Sequence, residues 1–342
     1  MNVRHNHRRP GISDVAALAN VSIGTVSRHL TGRGYVGADS RQRIQAAVDE
    51  LGYRPNLVAR SLRTQTTQTI GVLSIGPRDF GSSSILTGLD EASRQAGYAM
   101  IMAQMPPDPN HPGARSEIER AAARLLAHQV DGIVLATPYP GFEDLWEELG
   151  TAVPFVIMSN HRQHAVGATF VDSYAAGRVA TEHLVGLGHE KILHVRGPLN
   201  LIEANDRERG YLDAVRPAGI DPQVSTPCGD WSSTAGYQLG TSIPEPTWSA
   251  VFCANDAIAL GFQHAMYQRG LTPGSDYSII GIDNMPDTAH FQPPLTTVAL
   301  DHVELGRSAS RMVLEHLQTG SPAANVVIAP ALVPRESTTP PG

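Results

Sequence analysis

Residues 13–63 read SDVAALANVSIGTVSRHLTGRGYVGADSRQRIQAAVDELGYRPNLVARSLR. Ser13 is placed as the N-cap of a short helix over 14–19, with Val15, Leu18 and Ala19 turned inward. Ala19-Asn20-Val21 makes a turn, and asparagine tolerates positive φ there. Ser22 caps a second short helix, Ile23 to Leu30, whose Val26 and Leu30 face the core. Asp39 and Ser40 start a third helix, with an inward stripe of Ile44, Ala47, Val48 and Leu51. A short helix, a tight turn and a second short helix form a helix-turn-helix pattern. Such units lay their second helix in the DNA major groove. Ile23, Gly24, Ser27 and Arg28 are left for the groove, and Ser22 and Thr25 can donate to phosphate. Arg41 and Arg43 reach phosphate or solvent.

Charge points the same way once it is divided along the chain. The 342 residues carry a net charge of −7. Residues 1–63 hold ten arginines against Asp14, Asp39, Asp49 and Glu50, a net +6, so the remainder carries −13. A basic head on an acidic body is the electrostatic footprint of a nucleic-acid reader with a separate second function. Residues 1–12 are expected to be a flexible basic arm without the apolar stretch of a secretory signal. No run approaches the ~18 apolar residues of a membrane span. Cys228 and Cys253, the two cysteines, make no disulfide framework. A cytoplasmic location without membrane attachment is expected.

Two segments carry a resemblance. DVAALANVSIGTVSRHLTG, followed by ELGYRPNLVARSLRT, resembles the head and hinge of the LacI/GalR family of bacterial transcription regulators, and the likeness continues over nearly the whole chain. It implies base-reading positions at Ile23, Gly24 and Arg28, with Arg28 suited to bidentate contact with guanine. Gly24 departs from the pattern by offering no side chain. His29 stands where an aliphatic core residue is usual. Tyr53 and Asn56 are placed on the DNA side of the hinge. The segment NLVARSL (56–62) matches the family's hinge helix, too short to be stable alone. In the family the residue matching Leu62 wedges into the minor groove, with Ala59 packed beside it. The partner implied is a double-stranded, pseudo-palindromic DNA operator.

From Thr69 onward, short apolar runs alternate with helical segments. Strands are expected at 69–75, 98–104, 131–137, 154–159, 191–197, 249–255 and 277–283. Helices are expected at 115–127, 174–187, 204–216, 256–269 and 303–318. This alternation implies α/β architecture with parallel sheets in two lobes. The fold expected is an all-α helix-turn-helix head followed by a two-lobed core resembling periplasmic sugar-binding proteins. The head spans 13–52, the hinge 53–68 and the ligand-binding and dimerisation core 69–340. Its first lobe covers 69–170 and 298–325, its second 171–297 and 326–340, with crossings near 168–172, 296–300 and 325. LVPREST (332–338) resembles the family's closing strand and tail.

Ligand-contacting residues are sought at strand ends, where α/β folds bind ligands. Arg207 and Asp283 could chelate adjacent hydroxyls, Asn255 could donate and accept, and Trp231 could stack on a flat ring face or simply pack between lobes. Asp256 is expected to cap the helix that follows it. The resemblance matches Arg207, Trp231, Asn255 and Asp283 to effector-contacting positions, and more loosely Ser159 and His302. A sugar suits this set better than a nucleobase, which remains open.

No phosphate-binding glycine loop, Walker motif or nucleophile elbow is present, so neither an enzyme nor a nucleotide cofactor is expected. The spacing His161-Arg-Gln-His164 lies in a loop and argues for no metal. The C-terminus has no leucine heptads, so a homodimer is expected rather than a coiled-coil tetramer. The reading is a ligand-responsive, sequence-specific repressor. A solute-binding protein, or an enzyme fused to a DNA-binding head, is the alternative.

Overall fold

The structure, a computed structural model, describes residues 10–32, 34–54, 66–76, 79–105, 113–139, 152–159 and 167–342. Asn56, Ala59, Leu62, His161 and His164 lie outside the described residues. The chain divides into two compact units, residues 1–67 and 68–342.

The first unit holds α1 (Ile12–Leu18), α2 (Ile23–Thr31) and α3 (Ala38–Leu51). Helix α1 starts two residues earlier than Ser13 predicts. Gly11 is the N-cap, and its amide donates to the Asp14 carboxylate at 2.7 Å. An acid at the third helical position thus satisfies the amide of the cap residue itself, one half of a capping box. Val15, Ala16 and Ala19 face inward, whereas Leu18 is 46% exposed, against expectation. The alanines let the helices approach closely, which rotates the bulkier leucine outward. Asn20 has φ of 51°, the left-handed turn that its position requires. Ser22 caps α2 by accepting from the Thr25 amide. Gly37, not Asp39, caps α3. Val26, Val36, Ile44 and Ala47 complete a core that Leu30, Val48, Leu51 and Tyr53 pack against.

The second unit contains two six-stranded sheets. The first sheet uses β1 (Thr69–Ile75), β2 (Ala99–Met105), β3 (Gly132–Ala136), β4 (Phe155–Met158), β5 (Ala168–Val171) and β11 (Val326–Ile328). Its order is β11-β5-β4-β3-β1-β2, all parallel. The second uses β6 (Ile192–Val195), β7 (Gln223–Val224), β8 (Ala250–Cys253), β9 (Ser278–Asp283), β10 (Thr296–Ala299) and β12 (Ala331–Val333), in the order β12-β10-β9-β8-β6-β7. Only β12 runs antiparallel to its neighbour.

Among the described residues, seven helices cover these sheets: α4 (Phe80–Gln95), α5 (Ala114–Ala127), α6 (Ser173–Gly186), α7 (Ile202–Val215), α8 (Ser233–Ser242), α9 (Asp256–Gln268) and α10 (His302–Thr319). Both faces of each sheet are therefore buried, which explains the unbroken apolar runs. On the first sheet, Ile70, Val72 and Val134 face Leu89 of α4 and Ala309 and Val313 of α10. Leu73, Ile133 and Leu135 face Ile118 and Leu125 of α5. On the second, Phe252 and Ile280 meet α6 and α7, while Val251 and Ile279 meet Phe262 and Met266 of α9.

The chain crosses between lobes at 172, at 300–301 and at 329–330. Strand β10 lies wholly in the second lobe and β11 wholly in the first, so the boundaries expected at 297/298 and 325/326 move. A strand's backbone groups are committed to its ladder, so a crossing falls in the unpaired residues after it.

Three helix pairs share one device. A Cβ on Gly88 of α4 would lie 1.9 Å from the Val303 carbonyl of α10, and one on Gly306 of α10 would lie 2.1 Å from the Ile85 carbonyl. Gly177 of α6 faces the Arg207 carbonyl of α7 at 2.2 Å, and Gly210 faces Tyr174 at 2.2 Å. Gly236 of α8 and Gly261 of α9 face Ile258 and Ser233 in the same way. Each pair thus packs backbone against backbone, with no side chain between. Gly177→Ala should cost about 1–3 kcal/mol through overpacking. Gly186→Ala, where a Cβ meets nothing within 4 Å, should not destabilise. Urea unfolding of the two variants checks this contrast.

Candidate functional site

On the head, α2 presents its first turn outward. Ser22, Gly24 and Arg28 are exposed, and Ile23 is 51% exposed. Thr25 and Ser27 are half-buried. Ser22 Oγ and Thr25 Oγ1 are 2.9 Å apart, and Arg28 Nη2 donates to Thr25 Oγ1 at 3.2 Å. The predicted readers thus stand together on one helix face, with the guanidinium oriented by a neighbouring hydroxyl. His29 is half-buried on the same helix. Tyr53 packs against the head's core as well as standing near the head's end. Tyr35, missed in the sequence reading, is 86% exposed between α2 and α3. Its signal was an aromatic residue in the otherwise small, basic segment GRGYVG.

In the core, a cavity of about 130 Å³ opens between the lobes. Its floor is made by the carboxyl ends of β1, β3, β4 and β5, including Ser74, Thr137, Ser159 and Phe170. The beginnings of α4 and α10 form one wall, with Asp79, Leu86, His302 and Leu305. The other lobe contributes Glu203 and Trp231. Trp231 packs against the apolar clusters of both lobes, so lobe packing and cavity lining coincide in one ring. Beside it, the Ile202 amide donates to the Pro138 carbonyl at 3.1 Å, a backbone hydrogen bond from lobe to lobe.

Of the expected contact residues, Ser159, Trp231 and His302 line this cavity. Arg207, Asn255 and Asp283 do not. They form a buried network that joins the cavity through Trp231 and His302. Arg207, 4% exposed, donates from Nη1 to the Ala254 carbonyl at 2.6 Å and places Nη2 3.5 Å from Asp283 Oδ1. Its guanidinium carbon lies 5.0 Å from the centre of the Trp231 ring, a cation–π contact. His302 Nε2 lies 3.4 Å from the same Asp283 oxygen. Asp283 holds φ of 115° at the end of β9. A non-glycine residue there costs on the order of 1–3 kcal/mol, and the gain is a carboxylate set between Arg207 and His302.

Asn255, not Asp256, caps α9. Its Oδ1 accepts from the Ile258 amide at 2.8 Å, and its Nδ2 donates to the Trp231 carbonyl at 3.2 Å. Asp256, the first residue of α9, instead accepts from Thr297 Oγ1 and the Met285 amide, so it ties β10 and the loop after β9 to the helix. Burial, reinforced by the Asp283 charge, pushes its carboxyl well above the usual range.

Two lining acids were missed. Asp79 caps α4 by accepting from the Ser82 amide. Glu203 lies four residues before Arg207, one helical turn away on the same face, and that spacing was the available signal. Burial raises the Glu203 carboxyl to about 7. Three buried polar atoms without a partner cluster around this cleft: Glu203 Oε2, Arg207 Nε and His302 Nδ1. Native proteins rarely leave such atoms unsatisfied.

A capped, basic helix-turn-helix head on a two-lobed core defines a ligand-linked DNA-binding regulator as the class. Residues 11–56 match the bacterial regulatory proteins of the lacI family, and residues 181–338 match the periplasmic binding protein-like domain. The chain belongs to the lacI family and is a DNA-binding transcriptional regulator. It is 30% identical over 333 residues to the lactose operon repressor of Escherichia coli (strain K12), covering 95% of this chain and 89% of that protein. It is 33% identical to the HTH-type transcriptional repressor PurR of Vibrio atlanticus (strain LGP32), covering 90% and 92%. The crystal structure of the lac repressor dimer bound to operator and the anti-inducer ONPF superposes with a TM-score of 0.85, at 28% identity, over 97% of this chain and 100% of that one. The transcriptional regulator CelR–cellobiose complex gives 0.69 at 25% identity, over 96% and 100%. No helix among the described residues is long and apolar enough to cross a membrane.

Two outcomes follow from this geometry. Asn255→Ala should cost about 1 kcal/mol of stability in ligand-free protein, because a helix cap is lost; chemical denaturation without added ligand measures it. Glu203 is favoured in its protonated form by the fold, so its contribution is present at low pH and is lost as pH rises from 4.5 through about 7. Glu203→Gln should therefore raise Tm over wild type at pH 8 and leave it little changed at pH 5.

Proposed function

We propose that the protein is a homodimeric repressor whose grip on a pseudo-palindromic operator is set by a small sugar-like effector in the cleft. The observation that carries this reading is the convergence of Trp231 and two unpartnered polar atoms, Glu203 Oε2 and His302 Nδ1, on one interlobe cavity, with Arg207 behind the ring. An apolar ring face beside hydroxyl-bearing Ser74, Thr137 and Ser159 suits a saccharide, with one flat face and a rim of hydroxyls. The lac repressor structure with operator and ONPF, and CelR with cellobiose, support the same combination of ligands.

DNA binding rests on the head. Arg28, exposed and held by Thr25, reads a guanine edge, while Ser22 and Thr25 meet phosphate. Ile23, Gly24 and Ser27 complete the groove face. Tyr53, Asn56, Ala59 and Leu62 position the segment that enters the minor groove. Ligand in the cleft changes the relation of the two lobes through their three crossings. Operator and effector affinities are then coupled by one factor, equal in both directions.

Selection of binding sites from random duplexes, followed by gel shift, tests the reading. A two-fold symmetric site should emerge, and a protein that selects no sequence in any ligand state would refute it. Arg28→Ala should weaken binding to that site by about 1–3 kcal/mol and relax preference at one base pair per half-site. A uniform loss over all sequences would reassign Arg28 to phosphate.

A further inference from the structure

We propose that the effector carries an amine, and that the cleft selects an amino sugar over its parent sugar through Glu203. The inference deepens the sugar reading above and rests on it.

The argument starts from what the cavity lacks. Its lining includes the acids Asp79 and Glu203, and no lysine or arginine among the described residues. The Arg207 charge is directed to Ala254 and Asp283. The cavity is therefore an electronegative chamber walled by apolar side chains, where a cation is attracted more strongly than in water.

Hydrogen-bonding capacity gives the same answer. One oxygen of Glu203 turns to its own backbone amide, while Oε2 is closed off from solvent with no partner. An ionised carboxylate oxygen only accepts. His302, 8% exposed, faces Asp283 with Nε2, and its Nδ1 is buried without a partner. When Nε2 carries the proton toward Asp283, Nδ1 is an acceptor. Two unsatisfied acceptors thus belong to one cavity. A hydroxyl has one proton to give, whereas an ammonium has three and brings the opposite charge.

The charged groups facing Glu203 are Asp79 from the start of α4, and Asp206 and Arg207 on its own helix. Burial is the main reason its proton is held on; Asp79 and Asp206 add to it, and Arg207 opposes them with a larger effect than either acid alone. An ammonium at Glu203 reverses that balance. It offsets the burial that raises the carboxyl to about 7, so ligand binding at neutral pH releases a proton.

Isothermal titration at pH 7.5 with glucosamine, galactosamine and mannosamine, beside glucose, galactose, mannose and the three N-acetyl derivatives, tests the proposal. One amino sugar should bind roughly tenfold or more tightly than its parent and its N-acetyl form, the factor a charge-assisted hydrogen bond supplies. Glu203→Gln should abolish that preference, bringing the amino sugar to within about twofold of its parent sugar measured in the same variant. The N-acetyl comparison on wild-type protein removes the charge without any mutation. Equal binding of parent and amino sugar, or a preference that survives Glu203→Gln, overturns the amine proposal and leaves the sugar cleft standing. Adenine or guanine binding where no sugar binds overturns both.

Discussion

A single buried guanidinium organises the core. Arg207 binds the carbonyl that ends β8, approaches the carboxylate that ends β9, and lies against the indole that reaches into the other lobe. Its own backbone carbonyl is the point at which α6 presses on α7 through Gly177. A buried charge of this kind is tolerable only when its partners are held in place. The second lobe supplies that holding with Asn255, which caps α9 and fixes the Trp231 backbone, and with Asp256, which ties β10 and the loop after β9 to the same helix. The strained φ of Asp283 belongs to the same arrangement.

The cleft chemistry follows from this hub without being part of it. Arg207 and Asp283 set the position of Trp231 and His302, and these two rings form the cavity wall. Glu203 extends the hub by one helical turn into the cavity. Around it, the lobes meet through three crossings, the Ile202–Pro138 backbone hydrogen bond, the Trp231 ring and the His302–Asp283 contact. Backbone-to-backbone helix pairs leave no side chain to rearrange between the paired helices of each lobe.

Much of this was legible from residue order. Continuous apolar runs such as TIGVLSI and YSIIGID announce strands buried on both faces, and Ser22 and Asn20 fix the turn before the recognition helix. The short strands β5, β7, β10 and β11 escaped because two to four residues carry too little period to read. Arg207 and Asp283 were recognisable as a pair, but their inward direction was not: a polar residue at a strand end serves ligand and lobe equally well in one dimension. Asn255 shows the same ambiguity, since the side chain that suits a hydroxyl also suits a helix amide. Glu203 was hidden by its neighbours, lying in a helix with Asp206 and Glu208 where an acid reads as surface. Only the tertiary arrangement shows that Glu203 lines the cavity with one carboxylate oxygen closed off from solvent, whereas Asp206 is buried beside Arg209.

Strand β1 has a place in the fold that bears on signalling. It begins at Thr69, two residues beyond the end of the head unit, and its far end supplies Ser74 and Ile75 to the cavity. It is hydrogen-bonded on both edges and covered on both faces. About 20 Å of stiff rod therefore joins the residues leading to the head with those that would touch effector. Such a rod carries rotation and translation faithfully but stores almost no deformation. Under the function proposed above, the first lobe would act as a lever with the cavity floor as its handle, and the size of the response would depend on how far the second lobe turns it.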